Sequence, residues 1–156
     1  MGRELNGDAP RLFAYGTLQV PAVMQVLIGR VPRHSRAMLE GYACYELADR
    51  NFPGIIEWDS ARVDGVLYRD LSDDELEAID AFEDPAYACR TVSVAADDER
   101  VAALTYVVAP DQMQIVRRGH QWSLAHFMDE HAEQYVESCA RFRESFGTSP
   151  RRAETE

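Results

Sequence analysis

Apolar residues come in short runs separated by Gly, Pro and acidic punctuation, and that pattern predicts most of the elements. Residues 11–15 read as a strand, interrupted by Gly16 and Thr17. Pro21–Ile28 predicts a short helix with proline in its first turn. His34–Leu47 reads as extended. The stretch "NFPGIIEW" mixes turn residues with β-branched ones, predicting a loop that leads into a strand. In "ARVDGVLYRDL" the residues alternate, with Val63, Gly65, Leu67 and Arg69 on one side and Asp64, Val66 and Tyr68 on the other. "ACRTVSVAADDERVAALTYVV" predicts two strands joined by an acidic hairpin turn at Asp97-Asp98. Residues 124–146 predict one long amphipathic helix. Its stripe runs through Leu124, Phe127, Met128, His131, Tyr135, Cys139, Phe142 and Phe146.

The most strongly signalled helix starts after Ser72. Ser72 and Glu75 have the spacing of a capping box, and Leu71 with Leu76 forms a hydrophobic staple. Placing Leu76 at zero on a wheel of about 100° per residue puts Ile79 near about 300° and Phe82 near about 240°. Glu83 then falls near about 340°, inside the apolar arc, and Asp80 near about 40°, at its margin. A helix lasting through residue 83 therefore turns a carboxylate inward, where desolvation raises its pKa and suits it to proton transfer. A helix ending at Phe82 instead releases Glu83 to solvent before Pro85. The wheel leaves both readings open.

Strands at both ends of the core region with helices between them give a mixed α/β (α+β) domain. Its boundaries are set at 8–146, with flexible termini at 1–7 and 147–156. The 156 residues, 46% hydrophobic, suffice for one domain with a sizeable core. No apolar run of about 18 residues exists, so no membrane-spanning helix is expected. The polar N-terminus carries no secretory signal pattern, which points to the cytoplasm. Cys44, Cys89 and Cys139 are far apart, odd in number and without a CxxC pair, which fits free thiols in a reducing compartment. A net charge of −11 repels phosphate backbones and argues against nucleic acid as a partner. The histidines of "HFMDEH" are five apart, which is not the HExxH zinc spacing, so His131 is read as a core-stripe residue and no metal site is assigned. Cys89 lacks a Cys-His signature for a nucleophile. No GxGxxG or Walker pattern implies a nucleotide.

That leaves the interruption after Tyr15. Glycine after a strand permits close backbone approach. A helical turn starting there leaves N–H groups near Gly16, Thr17 and Leu18 without helical partners. Such a turn can hold a carboxylate or a developing oxyanion. Paired with an inward Glu83, it offers one element to hold a negative group and another to move a proton.

"FAYGTL", "NFPGII", "VDGVLYRDLSDDELEAIDAFEDPAY", "ALTYVV" and "WSLAHF" occur in this order between residues 13 and 127. The set resembles the γ-glutamylcyclotransferase-like family, in its small branch related to γ-glutamylamine cyclotransferases. The resemblance implies a bent mixed sheet or partly closed β-barrel flanked by helices, with a long C-terminal helix. It also implies an intramolecular reaction in which the α-amine of a γ-glutamyl compound attacks the γ-carbonyl, releasing 5-oxoproline and an amine or amino acid. No metal or organic cofactor is implied, and the implied partner is a small γ-glutamyl substrate, bound by a monomer or homodimer. Carried onto this sequence, the family's substrate-binding turn falls on Tyr15, Gly16, Thr17 and Leu18, and its acid/base glutamate on Glu83. Two family tyrosines fall on Tyr87 and Tyr106. The chain departs from many relatives at Gln19-Val20-Pro21, where a basic residue and glycine often follow the turn. It departs again at Arg90, three residues beyond Tyr87.

Overall fold

The computed structural model describes residues 10–83 and 85–147. Six strands form one sheet: β1 (Leu12–Ala14), β2 (His34–Leu47), β3 (Pro53–Tyr68), β4 (Tyr87–Ala96), β5 (Glu99–Val108) and β6 (Val116–Gln121). The strand order is β3-β1-β5-β4-β2-β6, and β3 also pairs with β2. The first five strands therefore close into a barrel, and β6 adds to the far end of β2. The predicted bent or partly closed barrel is a closed one. All pairings are antiparallel except β1 with β5.

Four helices accompany the barrel: α1 (Pro21–Ile28), α2 (Asp73–Phe82), α3 (Leu124–Glu130) and α4 (Ala132–Gly147). Strand alternation divides the core. Phe13, Leu39, Val63, Leu67 and Val107 fill the barrel interior. Leu12, Ala14, Val66 and Tyr68 face outward, packing with Met24 and Leu27 of α1, Ile79 of α2 and Phe127 of α3. Both faces of β1 and of the end of β3 are thus buried, which is why these strands read as continuous apolar runs.

The α1 and β2 predictions match the structure residue for residue. The Asp97-Asp98 turn is also as expected. Both residues have positive φ, 52° and 65°, the geometry of a two-residue hairpin whose twist matches its strands. The strand predicted over 11–15 is shorter, Leu12–Ala14. The predicted loop and separate strand between 51 and 71 are one strand, β3. Its irregular stretch is a bulge opposite Gly41, where pairing slips between Glu40↔Arg62 and Tyr42↔Glu57. Gly41, at φ +87, takes a conformation that a side chain would disfavour, and there β2 bends away from the barrel toward β6.

The single helix predicted over 124–146 is two helices, broken at His131 (φ −129, ψ −18). No proline or glycine marks the break. The bend lets Phe127 sink fully into the core while Met128, predicted in the same stripe, is 49% exposed. Cys139, by contrast, is fully buried as the stripe required. The side chain of Phe146 and the termini at 1–9 and 148–156 lie outside the described residues. The 3-10 segment Pro110–Ile115 and strand β6 carried no periodicity to predict them: five of the six β6 residues are exposed. The three cysteines are free thiols. Among the described residues no helix is long and apolar enough to cross a membrane.

The capping box forms in full. Ser72 Oγ accepts from Glu75 N–H at 3.0 Å, and Glu75 Oε1 accepts from Ser72 N–H at 2.9 Å. Arg30, just past α1, grips the same carboxylate with two N–H donors at 2.6 and 2.8 Å, tying α1 to the start of α2. That guanidinium holds the Glu75 carboxyl below its ordinary pKa, against the opposing effect of burial. Folding therefore gains stability from Glu75 above its unfolded pKa, and the gain disappears as pH falls through the lower folded value. In urea titrations Ser72→Ala should lose about 1 kcal/mol at neutral pH. The deficit of Glu75→Gln relative to the parent should shrink as pH is lowered from 7 toward 3. A deficit unchanged across that range would assign the loss to packing instead of charge.

Candidate active site

Strand β1 delivers the site. Outward Leu12 and Ala14 fix its face, so Phe13 and Tyr15 turn to the barrel interior. The chain then enters a 3-10 turn, Thr17–Gln19. A β-carbon on Gly16 would lie 2.8 Å from the Pro53 ring, so glycine is required here for close approach rather than for positive φ. Two hydroxyls pin the backbone in this region. Tyr68 donates to the Leu18 carbonyl at 2.7 Å, and Thr105 donates to the Phe13 carbonyl at 2.9 Å. Gln19 Nε2 donates to the carbonyls of Tyr15 and Gly16 at 2.8 and 3.3 Å. The first backbone bond of the turn runs from Gln19 N–H to the Gly16 carbonyl. The N–H groups of Gly16, Thr17 and Leu18 precede it and take no backbone acceptor among the described residues.

A cavity of about 390 Å³ opens beside this turn, within the range of small-molecule sites. Tyr15, Gly16, Thr17, Leu18, Glu83, Tyr87 and Tyr106 all line it. These are all the site positions named from the sequence, brought together from β1, the 3-10 turn, the end of α2, β4 and β5. Cys89 is not among the lining residues; it sits exposed on β4 across from Tyr106.

Glu83 arrives by a route that neither sequence reading described. The helix ends at Phe82, as in one, and Glu83 is its cap with extended backbone (φ −66, ψ 145), its N–H donating to the Ile79 carbonyl at 3.1 Å. Yet its half-buried carboxylate faces the cavity, as in the other. The chain turns at this residue toward β4, whose first residue, Tyr87, is also in the wall.

The three tyrosines have committed their protons. Tyr15 donates to the Tyr106 carbonyl at 2.6 Å, Tyr87 to the Pro53 carbonyl, and Tyr106 to Asp80 Oδ1 at 3.1 Å. Burial raises the pKa of Tyr15 and Tyr87 well above the usual phenol value. Tyr106 is raised by burial first and then by the charge of Asp80. The charge of Glu83 adds to all three shifts and also to that of buried Cys139, whose thiol is pushed up to about 12 mainly by burial. The phenols thus remain neutral, and with their protons committed their oxygens can act toward a ligand only as acceptors. The described lining includes one carboxylate and no Lys, Arg or His. Negative groups must be held by N–H and hydroxyl dipoles, positive ones by Glu83 and the phenol oxygens. Among the described residues no group of three or more His, Cys, Asp or Glu side chains is placed to hold a metal ion.

Sequence reasoning missed part of the wall. Asn51, Phe52 and Pro53 belong to it, although "NFPGII" was read as a loop into a strand and as one of the resemblance motifs, with no site role assigned. Gln134, Tyr135 and Ser138 of α4 also line it, and Thr17 Oγ1 donates to the Tyr135 hydroxyl at 3.1 Å. The i, i+4 spacing of Gln134 and Ser138, flanking the apolar stripe, was the available signal.

The chain is similar to known proteins over most of its length. AIG2-like protein C of Arabidopsis thaliana is 34% identical over 145 residues, covering 90% of this chain and 83% of its own length. A solution structure from Arabidopsis thaliana superposes with a TM-score of 0.65 at 31% identity, covering 91% of this chain and 86% of the other. A structure described as a gamma-glutamyl cyclotransferase shares the fold, with a TM-score of 0.57 at 17% identity, covering 83% and 85% of the two chains. The family model described as "Gamma-glutamyl cyclotransferase, AIG2-like" matches residues 12–124. That match spans well over half the chain, and the chain belongs to this family.

Proposed function

We propose that this protein is a γ-glutamyl cyclotransferase, releasing 5-oxoproline and an amine or amino acid from a γ-glutamyl compound, with Glu83 as general acid and base. The observation that carries the reading is the cavity itself: Glu83 and the Tyr15–Leu18 turn line the same 390 Å³ space. A site built only to bind an acidic metabolite would gain nothing from a carboxylate in its wall.

The α-ammonium group of the substrate docks against Glu83 and the phenol oxygens, the acceptor-rich side. Glu83 takes one proton, and the freed amine attacks the γ-carbonyl carbon. The new C–N bond closes the five-membered ring, and the carbonyl π electrons move onto oxygen. N–H groups of Gly16, Thr17 and Leu18 hold this oxyanion or the substrate's α-carboxylate. Collapse re-forms the carbonyl and breaks the bond to the leaving nitrogen. Two protons in all pass from the α-nitrogen to the leaving nitrogen, and one carboxylate can carry them in turn. The mechanism as proposed uses no metal or organic cofactor, and the cavity contributes chiefly orientation of two groups on one molecule.

Glu83→Gln should fold with an unchanged circular dichroism spectrum and lose about 10²–10⁴-fold in the rate of 5-oxoproline release, measured chromatographically. A fully active Gln variant would overturn the assignment. Gly16→Ala, which drives a methyl into Pro53, should both lower the melting temperature and weaken substrate binding. Tyr15, Tyr87 and Tyr106 should stay protonated beyond pH about 10, where free tyrosine ionises. In an alkaline absorbance titration they should ionise late or only on unfolding. Because their folded pKa values are raised, their contribution to stability is complete below the unfolded value and falls away as pH rises above it.

A further inference from the structure

Two carboxylates stand one turn apart at the end of α2, and only Glu83 lines the cavity. Asp80, three residues earlier, is exposed and lies outside the lining. It reaches the site all the same, because Asp80 Oδ1 accepts the hydroxyl proton of Tyr106 at 3.1 Å. Tyr106 comes from β5, is 7% exposed and belongs to the cavity wall. No cation pairs with Asp80 among the described residues, so a surface carboxylate is committed to a buried phenol. The neighbouring Ile79 is fully buried, and its carbonyl accepts the Glu83 N–H at 3.1 Å. Asp80 therefore sits inside the turn that ends on Glu83.

The bond limits what Tyr106 can offer a ligand. A phenol has one proton to give and otherwise accepts. With that proton on Asp80, the oxygen can act toward the cavity only as an acceptor. The backbone carbonyl of Tyr106 is engaged as well, accepting from the Tyr15 hydroxyl at 2.6 Å, so the residue is anchored at both ends. Burial first, then the Asp80 charge, raises the pKa of this phenol, and the Glu83 charge adds to the shift. The hydroxyl is thus within the field of both carboxylates. Without Asp80 the phenol is free to turn its proton inward, toward Glu83, and an acceptor becomes a donor where an ammonium group needs acceptors.

Resting on the cyclotransferase reading, we infer that Asp80 is a positioning residue: by holding the Tyr106 proton outside the cavity, it keeps that phenol an acceptor for the α-ammonium group of the substrate. Asp80 touches neither the substrate nor the reacting atoms and acts through Tyr106.

The test uses L-γ-glutamyl-methylamide and its des-amino analogue, glutaric acid mono-methylamide. The analogue lacks the amine, cannot cyclise and is read as a competitive inhibitor. Asp80→Ala should raise KM for the γ-glutamyl compound about tenfold, with kcat and the inhibition constant of the analogue each within about twofold of wild type. Asp80→Asn, whose amide oxygen still accepts from the phenol, should recover most of the loss. In a Tyr106→Phe background, which has no proton to hold, Asp80→Ala should cost less than about twofold. Equal weakening of both compounds would make Asp80 a structural tie only and overturn the inference. So would an unchanged KM, or a loss undiminished in the Tyr106→Phe background. Release of no 5-oxoproline by the wild type, from this compound or from γ-glutamyl-alanine, would instead sink the cyclotransferase reading. Titration calorimetry with the methylamide and its analogue then decides on Asp80. Weakening of the γ-glutamyl compound alone in Asp80→Ala supports its role, and equal weakening, or no binding by the wild type, overturns it.

Discussion

Everything at the cavity hangs on the burial of a three-residue strand. Leu12, Phe13 and Ala14 are 0%, 1% and 4% exposed, so neither face of β1 can turn without leaving apolar surface in water or opening a void. The strand is held from both edges, antiparallel to β3 and parallel to β5. Its direction therefore fixes where Tyr15 and the following turn must go. The Tyr15 hydroxyl, bonded to the Tyr106 carbonyl, and the Gly16 contact with Pro53 transmit that rigidity into the wall of the site. Pre-organisation of this kind lets backbone N–H groups act as ready dipoles without reorganising when charge appears.

The electrostatics of the cavity are set as much by what is committed as by what is present. Four phenols line it, and three of them, Tyr15, Tyr87 and Tyr106, give their proton to a protein acceptor. They are consequently acceptors toward a ligand, and together with Glu83 they define a side suited to an ammonium group. The Gly16–Leu18 turn offers N–H dipoles to an anion. This polarity would suit the zwitterionic glutamyl head of the proposed substrate. The exposed arginine–carboxylate pairs of the surface, such as Arg33–Asp70, Arg90–Glu57 and Arg100–Glu40, carry small energetic weight by comparison.

The family span and the site do not coincide. Residues 12–124 carry the barrel, the turn and Glu83, whereas the mouth is completed by α4.

Much was legible along the chain because it depends on neighbours in sequence. Proline at the first turn of α1, the Ser72–Glu75 box and the Asp97-Asp98 hairpin are local, and their residues dictate their own backbone. The helix wheel brought Glu83 to notice, and the resemblance added Tyr87 and Tyr106. The sequence misjudged what depends on the barrel wall. The bulge at Gly41 merged two expected segments into β3, and the need to sink Phe127 broke a helix that has no breaker residue. Edge strand β6, exposed and unpatterned, left no trace. By itself the sequence determined the local starts and stops, the apolar faces and the identity of the chemical groups. Only the tertiary structure decided that Glu83 lines the cavity from beyond its helix and that Gln134, Tyr135 and Ser138 of α4 join its wall. Those placements arise from barrel closure and helix docking, which join residues as far apart in sequence as Thr17 and Tyr135, and no periodicity along a single segment encodes such distances.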